Sequence, residues 1–250
     1  MSGAARARVG AQLAMDVRLL VRNGESLLLV IGLPVMLLVF FSAVDVLPTE
    51  AVAEDTIDFL APGVFALAVM STAFVNVAIG VGFEREYGVL KRLGASPLRR
   101  RELLVAKVLV VVLVEVVQLA VLVAVAVALG WSASGGLVVA VAGALVATVA
   151  FVAGGLLMAG TMRGVVVLAA ANGLYLLLLL LSGMVIPLDE LPSGLRTVAE
   201  MLPSTALAEV FHGALRAGVD IPARAWVVLA VWSVALSAAA VRWFRWEPSG

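Results

Sequence analysis

Apolar residues are grouped into six stretches of the chain, and polar or charged residues separate these stretches. We place them at residues 27–46, 59–83, 103–129, 137–162, 165–186 and 225–241. Each is close to the ~20 residues that a helix needs to cross the hydrocarbon core of a bilayer. The runs are too long and continuous for barrel strands, and a helix pairs its backbone groups within one segment in lipid. The pattern predicts an all-α integral membrane protein, with six transmembrane helices in one domain that covers residues 1–250.

Two segments outside the spans have a helical period of their own. In residues 1–26, apolar side chains recur at helical spacing with arginines mostly opposite, which predicts an uncleaved helix in the membrane interface. In residues 182–215, small residues interrupt the fifth apolar stretch and Pro187 ends it. Leucines in 188–202 then predict an amphipathic helix that Pro203 terminates, and a further short helix follows. We expect these two helices to lie on or dip into the outer leaflet, where irregular backbone must be covered by protein or line a cavity.

One long charged run, FEREYGVLKRLGASPLRRRELLVAK, lies between two apolar stretches at residues 83–107. From Phe83 to Gly94, apolar side chains fall on one stripe of a short helix, which Gly94 stops. Ser96 and Pro97 then supply an N-cap and a first-turn proline for the helix that continues into the third span. The run predicts a bent amphipathic element held at the membrane face.

Composition and charge agree with a membrane protein. Hydrophobic residues make up 63% of the chain and charged residues 14%, against about a quarter charged in a soluble domain. Of the 17 lysines and arginines, 14 lie at the N-terminus, in residues 83–107, at Arg163 or at the C-terminus. Basic residues accumulate on the cytoplasmic side of membrane spans, so both termini are predicted to be cytoplasmic.

Candidate chemistry is sparse. The chain contains no cysteine, which excludes disulfides, thiol catalysis and Cys-ligated metal sites. The single histidine, His212, is predicted to be a solvated residue of an outer helix, because no metal-ligand spacing surrounds it. No G-x-x-x-x-G-K-[ST] phosphate loop occurs. We therefore expect no enzyme activity, cofactor or metal site in this chain.

Three polar residues lie inside the apolar stretches at a similar depth. Asn76, Glu115 and Asn172 are each eight or nine residues from a charged residue at the end of their span, which is roughly 12–14 Å at 1.5 Å per residue. A carboxylate in an apolar span is costly unless it is paired, protonated or wet, so Glu115 is predicted to face the bundle interior. The three side chains form a candidate polar layer of a translocation path. Two interpretations stay open: a substrate or proton site, or an interhelical hydrogen bond that contributes about 1 kcal/mol.

Two runs of the chain carry a family resemblance. The run EREYGVLKRLGASPLRRRELLVAK, Glu84 to Lys107, resembles the cytoplasmic signature of type-2 ABC exporter permeases. The run LLLLLLSGMVIPLDELPSGLRTVAEMLPSTALAEVFHGAL, Leu176 to Leu215, is similar to the fifth span and outer re-entrant helices of that family. With six spans and an amphipathic N-terminal helix in the same order, the resemblance covers nearly the whole chain.

The resemblance implies the membrane subunit of an ABC transporter in the cell membrane of a bacterium. Two permease chains, identical or different, would form the pathway, and separate ABC ATPase subunits would bind ATP and Mg²⁺ beneath a cytoplasmic coupling helix. The cargo would be a drug-like, lipid or other amphipathic molecule moved outward. The implied coupling residues are Glu84, Arg85, Glu86, Tyr87, Gly88, Leu90, Lys91, Arg92, Leu93 and Pro97. The implied outer-gate residues are Ser182, Gly183, Pro187 and Leu188.

Other functions compete with this interpretation. A proton-coupled secondary transporter would use Glu115, but away from the span ends the spans hold one carboxylate instead of a relay, and they show no discernible inverted repeat. An intramembrane enzyme would need a His, Ser or paired-Asp constellation, which the spans lack. The basic residues of 83–107 have three interpretations: contact with an ATPase, contact with anionic lipid, or charge that only sets topology. Nucleic acid is not expected as a partner.

Overall fold

The computed structural model describes residues 3–22, 24–43, 56–89, 91, 99–133 and 135–245. These residues form helices and connecting turns, and no β-strand occurs among them, which confirms the all-α class. The helices are α1 (Gly3–Arg22), α2 (Gly24–Ala43), α3 (Thr56–Met70), α4 (Val77–Glu86), α5 (Arg100–Ala128), α6 (Leu137–Thr161), α7 (Gly164–Leu180), α8 (Ser193–Ala199), α9 (Pro203–Leu215) and α10 (Ala223–Trp243). A π-helix, Ser71–Asn76, joins α3 to α4, and a 3₁₀-helix, Leu188–Glu190, precedes α8.

Four helices of the described chain are long and apolar enough to cross a membrane. They are Thr56–Glu86, Arg101–Ala128, Leu137–Thr161 and Ala223–Trp243. Their ends lie within three residues of the second, third, fourth and sixth predicted spans. Two further apolar helices, Leu28–Ala43 and Gly164–Leu180, match the first and fifth predicted spans but are shorter. We call the continuous helix Thr56–Glu86, which contains α3, the π-helix and α4, span 2.

The fifth apolar stretch ends earlier than the sequence predicts. The prediction that this span reaches residue 186 is wrong, because α7 ends at Leu180. The Ser182 hydroxyl donates to the Leu179 carbonyl at 2.7 Å, and Gly183 adopts a φ of +73°. A residue in this left-handed conformation cannot continue a right-handed helix. The polar turn is therefore built from the residues that interrupt the apolar run.

Helix α6 packs against several neighbours through small residues. A Cβ added to Gly143 would lie 2.4 Å from Cγ1 of Val210 in α9. A Cβ added to Gly155 would lie 2.9 Å from the carbonyl oxygen of Phe74 in the π-helix. Small residues allow helix backbones to approach closely, which is the main source of packing energy between helices in lipid. Span 2 and α9 are held against α6 in this way.

The two outer helices differ from the predicted pair. The predicted amphipathic helix over 188–202 is wrong, because Pro192 is extended and divides the segment into the 3₁₀-helix and the seven-residue α8. Pro203 ends this segment as predicted, and it also occupies the first turn of α9, where its missing N–H costs nothing. His212 of α9 is buried, with its ring stacked on Phe59 at 4.7 Å between centroids. The prediction of a solvated histidine is therefore wrong, because α9 packs into the bundle.

Candidate functional site at the charged end of the bundle

The charged end of the bundle is the end where α4 and α6 finish and α5 and α7 begin. Lys107 of α5 joins α4 and α1 there. Its Nζ donates to the two carboxylate oxygens of Glu84 at 3.1 and 3.3 Å, and it lies 3.3 Å from Oδ2 of Asp16. Lys107 and Asp16 are each 8% exposed. Removing one partner would leave a buried charge uncompensated. The contacts therefore hold α1, α4 and α5 in fixed relative positions.

Arg85 links α4 to the end of α6. Its side chain is 2% exposed, and Nη1 donates to the carbonyl oxygens of Ala159 at 3.2 Å and Met162 at 2.9 Å. The last carbonyls of a helix have no N–H partner within the helix and carry a partial negative charge. A guanidinium at this position pairs those carbonyls and is electrostatically favourable. Arg85 therefore caps α6.

Glu86 links α4 to the start of α7. A Cβ added to Gly164, the first residue of α7, would lie 2.1 Å from Oε2 of Glu86. The carboxylate thus lies at the helix N-terminus, where unpaired N–H groups favour a negative charge. The three consecutive residues Glu84–Glu86, which we call the ERE segment, therefore connect the end of α4 directly to α5, α6 and α7, and through Lys107 to α1.

Beyond the ERE segment the side chains are more exposed. Tyr87 is 77% exposed, and its ring stacks on Phe83 at 5.9 Å between centroids. Gly88 has a φ of +74°, and its N–H donates to the Arg85 carbonyl at 3.1 Å, which is a common way to end a helix. Lys91 is exposed. Four predicted coupling residues, Leu90, Arg92, Leu93 and Pro97, lie outside the described residues.

Helix α5 begins at Arg100, and extended Arg99 is its N-cap. Ser96 and Pro97, the predicted N-cap and first-turn proline, lie outside the described residues. The Arg99 N–H donates to Oε2 of Glu102 at 2.9 Å, which is the arrangement of a capping box. Arg8 of α1 donates its Nε–H to the same carboxylate at 2.9 Å. This hydrogen bond raises the pKa of Arg8 above its ordinary value.

The candidate polar layer does not share hydrogen bonds within one chain. Glu115 is 4% exposed, and Oγ1 of Thr148 in α6 lies 3.0 and 2.7 Å from its two carboxylate oxygens. Asn172 is exposed and donates to its own helix, to the Leu168 carbonyl at 2.8 Å. Asn76 is exposed as well. Glu115 faces the interior as expected, and a role for the three residues in translocation stays a prediction.

Gln118 makes a second polar contact between apolar helices, which was not predicted from the sequence. Gln118 is fully buried, accepts a hydrogen bond from Thr72 at 3.0 Å and donates to the Val30 carbonyl at 2.7 Å. Pro34 lies inside α2 and has no N–H to offer the Val30 carbonyl four residues earlier. In the sequence, this contact was indicated only by a proline within one apolar stretch and a glutamine within another.

The predicted outer-gate residues lie together in the turn after α7. A Cβ added to Gly183 would lie 2.9 Å from Cγ of Leu188, and Pro187 is buried. Next to them, the Met184 carbonyl would lie 1.9 Å from a Cβ added to Gly63 of span 2. The turn is therefore packed directly on span 2, and its role as a gate stays a prediction.

Comparison with known families gives a match over most of the chain. A family model described as ABC-2 type transporter matches residues 10–215. No curated protein matches the chain. The matched residues include the charged end of the bundle and the outer turn. Among the described residues, no group of three His, Asp or Glu side chains is arranged to hold a metal ion.

Proposed function

The chain belongs to the ABC-2 type transporter family, and from this premise we propose that it is the permease of an ATP-driven exporter. Its family makes it a transport subunit that is not itself catalytic. The proposed partners are separate ABC ATPase subunits, which bind ATP and Mg²⁺, and a second permease chain, identical or different. In this proposal both termini face the cytoplasm of a bacterium, and the cargo is an amphipathic molecule that moves outward.

The ERE segment is the observation that supports this proposal. Its three side chains contact α5, α6 and α7, and Lys107 extends these contacts to α1. The next residue, Tyr87, is exposed. An ATPase that contacts the chain after Glu86 would displace the end of α4. Because packed cores shift between discrete arrangements instead of deforming continuously, that displacement would move the connected helices together.

Asn172 supports the proposed second permease chain. It lies on α7 among exposed leucines, including Leu168 and Leu176. Its side chain donates only to its own backbone at Leu168 among the described contacts. An amide facing hydrocarbon leaves polar atoms without partners, which is costly in lipid. A partner chain or a wet pathway on this face of α7 would satisfy them.

The proposal is tested by the effect of the permease on its ATPase. The permease is co-purified with a candidate ABC ATPase, and ATP hydrolysis is measured with and without the permease in lipid nanodiscs. We expect Tyr87→Ala to lower the stimulation several-fold without changing the melting temperature, because Tyr87 is exposed and holds no other helix. Trp243→Ala is the matched control, because it also removes an exposed aromatic side chain near the charged end.

Substitutions of the carboxylates in the ERE segment would test coupling less directly than Tyr87→Ala does. Glu84→Lys would place a second ammonium beside buried Lys107, so it would disturb the fold together with any coupling. Normal stimulation by Tyr87→Ala, or failure of any ATPase to co-purify, would contradict the proposal. Proton-coupled transport through Glu115 is the rival function, and substitutions of Glu115 separate the two.

A further inference from the structure

A cavity of about 550 Å³ lies beside the charged end, between α1, α2, α5 and span 2. On one side, a stripe of polar and small residues follows span 2 at four-residue intervals: Thr72, Asn76, Gly80 and Glu84. The facing walls are apolar and include Leu29, Leu33, Val110 and Val114. From Ser71 to Glu84 the cavity follows span 2 for about 20 Å at 1.5 Å per residue. An elongated cavity with one apolar wall fits an extended chain along its length.

The charged end of this cavity has an excess of negative charge. Asp16, Glu84 and Lys107 all line it, so the described lining carries two carboxylates and one ammonium. The neighbouring ion pair between Arg8 and Glu102 is neutral as a unit and does not change this balance.

Asp16 has one carboxylate oxygen without a hydrogen bond. Gln12 donates to Oδ1 at 3.0 Å. Oδ2 is buried and lies 3.3 Å from Nζ of Lys107, but outside hydrogen-bond geometry. Lys107 directs its hydrogen bonds to Glu84 instead. Asp16 and Glu84 share the one ammonium of Lys107, so the three groups keep one uncompensated negative charge beside the cavity. A buried charge without compensation is costly, so this end of the cavity favours a ligand that brings a positive charge.

We propose that this cavity binds a single-chain amphipathic cation. Its cationic nitrogen lies beside Asp16 and Glu84, and its chain extends along the apolar wall toward Ser71. The ligand thus combines an apolar body with one polar anchor, as most small-molecule sites require. The inference deepens the proposed function, because it names the cargo class, but it is tested by binding alone and needs no ATPase.

The test uses dodecyltrimethylammonium as the probe. Radiolabelled probe, kept below its micelle concentration, is bound to the full chain in phosphatidylcholine nanodiscs, and binding to empty nanodiscs is subtracted. Dodecyl sulfate is the control for charge, because it has the same chain and the opposite sign. We expect saturable binding of the cation and at least tenfold weaker binding of the anion.

Two variants locate the site. Asp16→Asn removes one charge while keeping an oxygen for Gln12, and we expect a roughly tenfold loss of affinity, which equals about 1.4 kcal/mol. Gly80→Leu places a side chain in the cavity, because a Cβ at Gly80 meets nothing within 4 Å, and it should abolish binding. Gly32→Leu is the matched control: Gly32 is equally unhindered but does not line the cavity.

Each outcome bears on the inference. Equal binding of cation and anion, no saturable binding, or equal binding by the Gly80→Leu and Gly32→Leu variants would overturn it. Competition by added phosphatidylethanolamine would identify the occupant as a bilayer amine lipid and overturn the cargo assignment. Because no ATPase is present, a failure here leaves the proposed export function standing. Conversely, binding without ATPase stimulation would leave the site standing and contradict the proposed function.

Discussion

His212 is a neutral base buried in a packed part of the bundle. The residue is 8% exposed, and its ring stacks on Phe59. Burial, followed by the positive charge of Arg216, lowers the pKa of His212 to about 3. In the unfolded chain the pKa is about 6.5. Because the unfolded state binds the proton more readily, stability is complete above pH 6.5 and is lost as the pH falls from there toward 3.

This predicts a pH dependence that one residue controls. Between pH 8 and pH 5 the wild-type chain should lose about 2 kcal/mol of stability through His212. His212→Gln keeps a polar side chain of similar size and cannot titrate, so it should lose much less over this range. Thermal unfolding in detergent at the two pH values measures the difference. Parallel pH profiles for the two proteins would show that His212 is not protected from protons in the folded state.

At the scale of helices, Gln118 compensates for a proline in another span. The Val30 carbonyl of α2 lacks its helical donor because Pro34 has no N–H, and Gln118 of α5 supplies the missing hydrogen bond. The same amide accepts from Thr72 of the π-helix, so one side chain joins three elements. A buried carbonyl without a hydrogen-bond donor is costly in lipid. The hydrogen bond from Gln118 therefore allows α2 to contain a proline.

A double-mutant cycle tests this compensation. Gln118→Leu should destabilise the protein by about 1–2 kcal/mol, because two hydrogen bonds are lost and their partners stay buried. Pro34→Ala restores the N–H for the Val30 carbonyl, so the double variant should recover about 0.5–1 kcal/mol of that loss. Thr72→Val is the control that removes only the other hydrogen bond. Additive effects of Gln118→Leu and Pro34→Ala on thermal unfolding would refute the compensation.

His212 and the ERE segment also show what the sequence could and could not predict. Four spans were located to within three residues because the hydropathy of a segment depends on its own residues. The burial of His212 depends on Phe59, which is distant in the chain, and the apolar period of α9 did not identify which of its faces would pack. The ERE segment was expected to meet an ATPase because the family resemblance implies it. In the structure its side chains pair with helix ends and with Lys107, contacts that only the arrangement of neighbouring helices determines.

At the scale of the whole molecule, the protonation state of Glu115 bears on whether ATP or a proton gradient drives transport. Oγ1 of Thr148 lies 2.7 Å from one Glu115 oxygen and 2.8 Å from the Ala144 carbonyl. A hydroxyl has one proton to donate. Both hydrogen bonds form at once only if Glu115 carries a proton and donates it to Thr148, while Thr148 donates to Ala144. The geometry therefore suits a neutral carboxyl group, for which glutamine is a close substitute.

Two substitutions at Glu115 separate an exporter from a proton-coupled transporter. In an exporter driven by a partner ATPase, Glu115→Gln keeps the donor to Thr148 and should retain substantial transport. Glu115→Leu should be more harmful, because Thr148 loses its partner at a cost of ~1 kcal/mol or more. Glutamine cannot titrate, so a proton carrier would be equally inactive with either substitution. Efflux from liposomes containing the permease and its ATPase, with and without a protonophore at constant ATP, gives the answer. Transport that requires the proton gradient and is indifferent to ATP would rule out the proposed exporter.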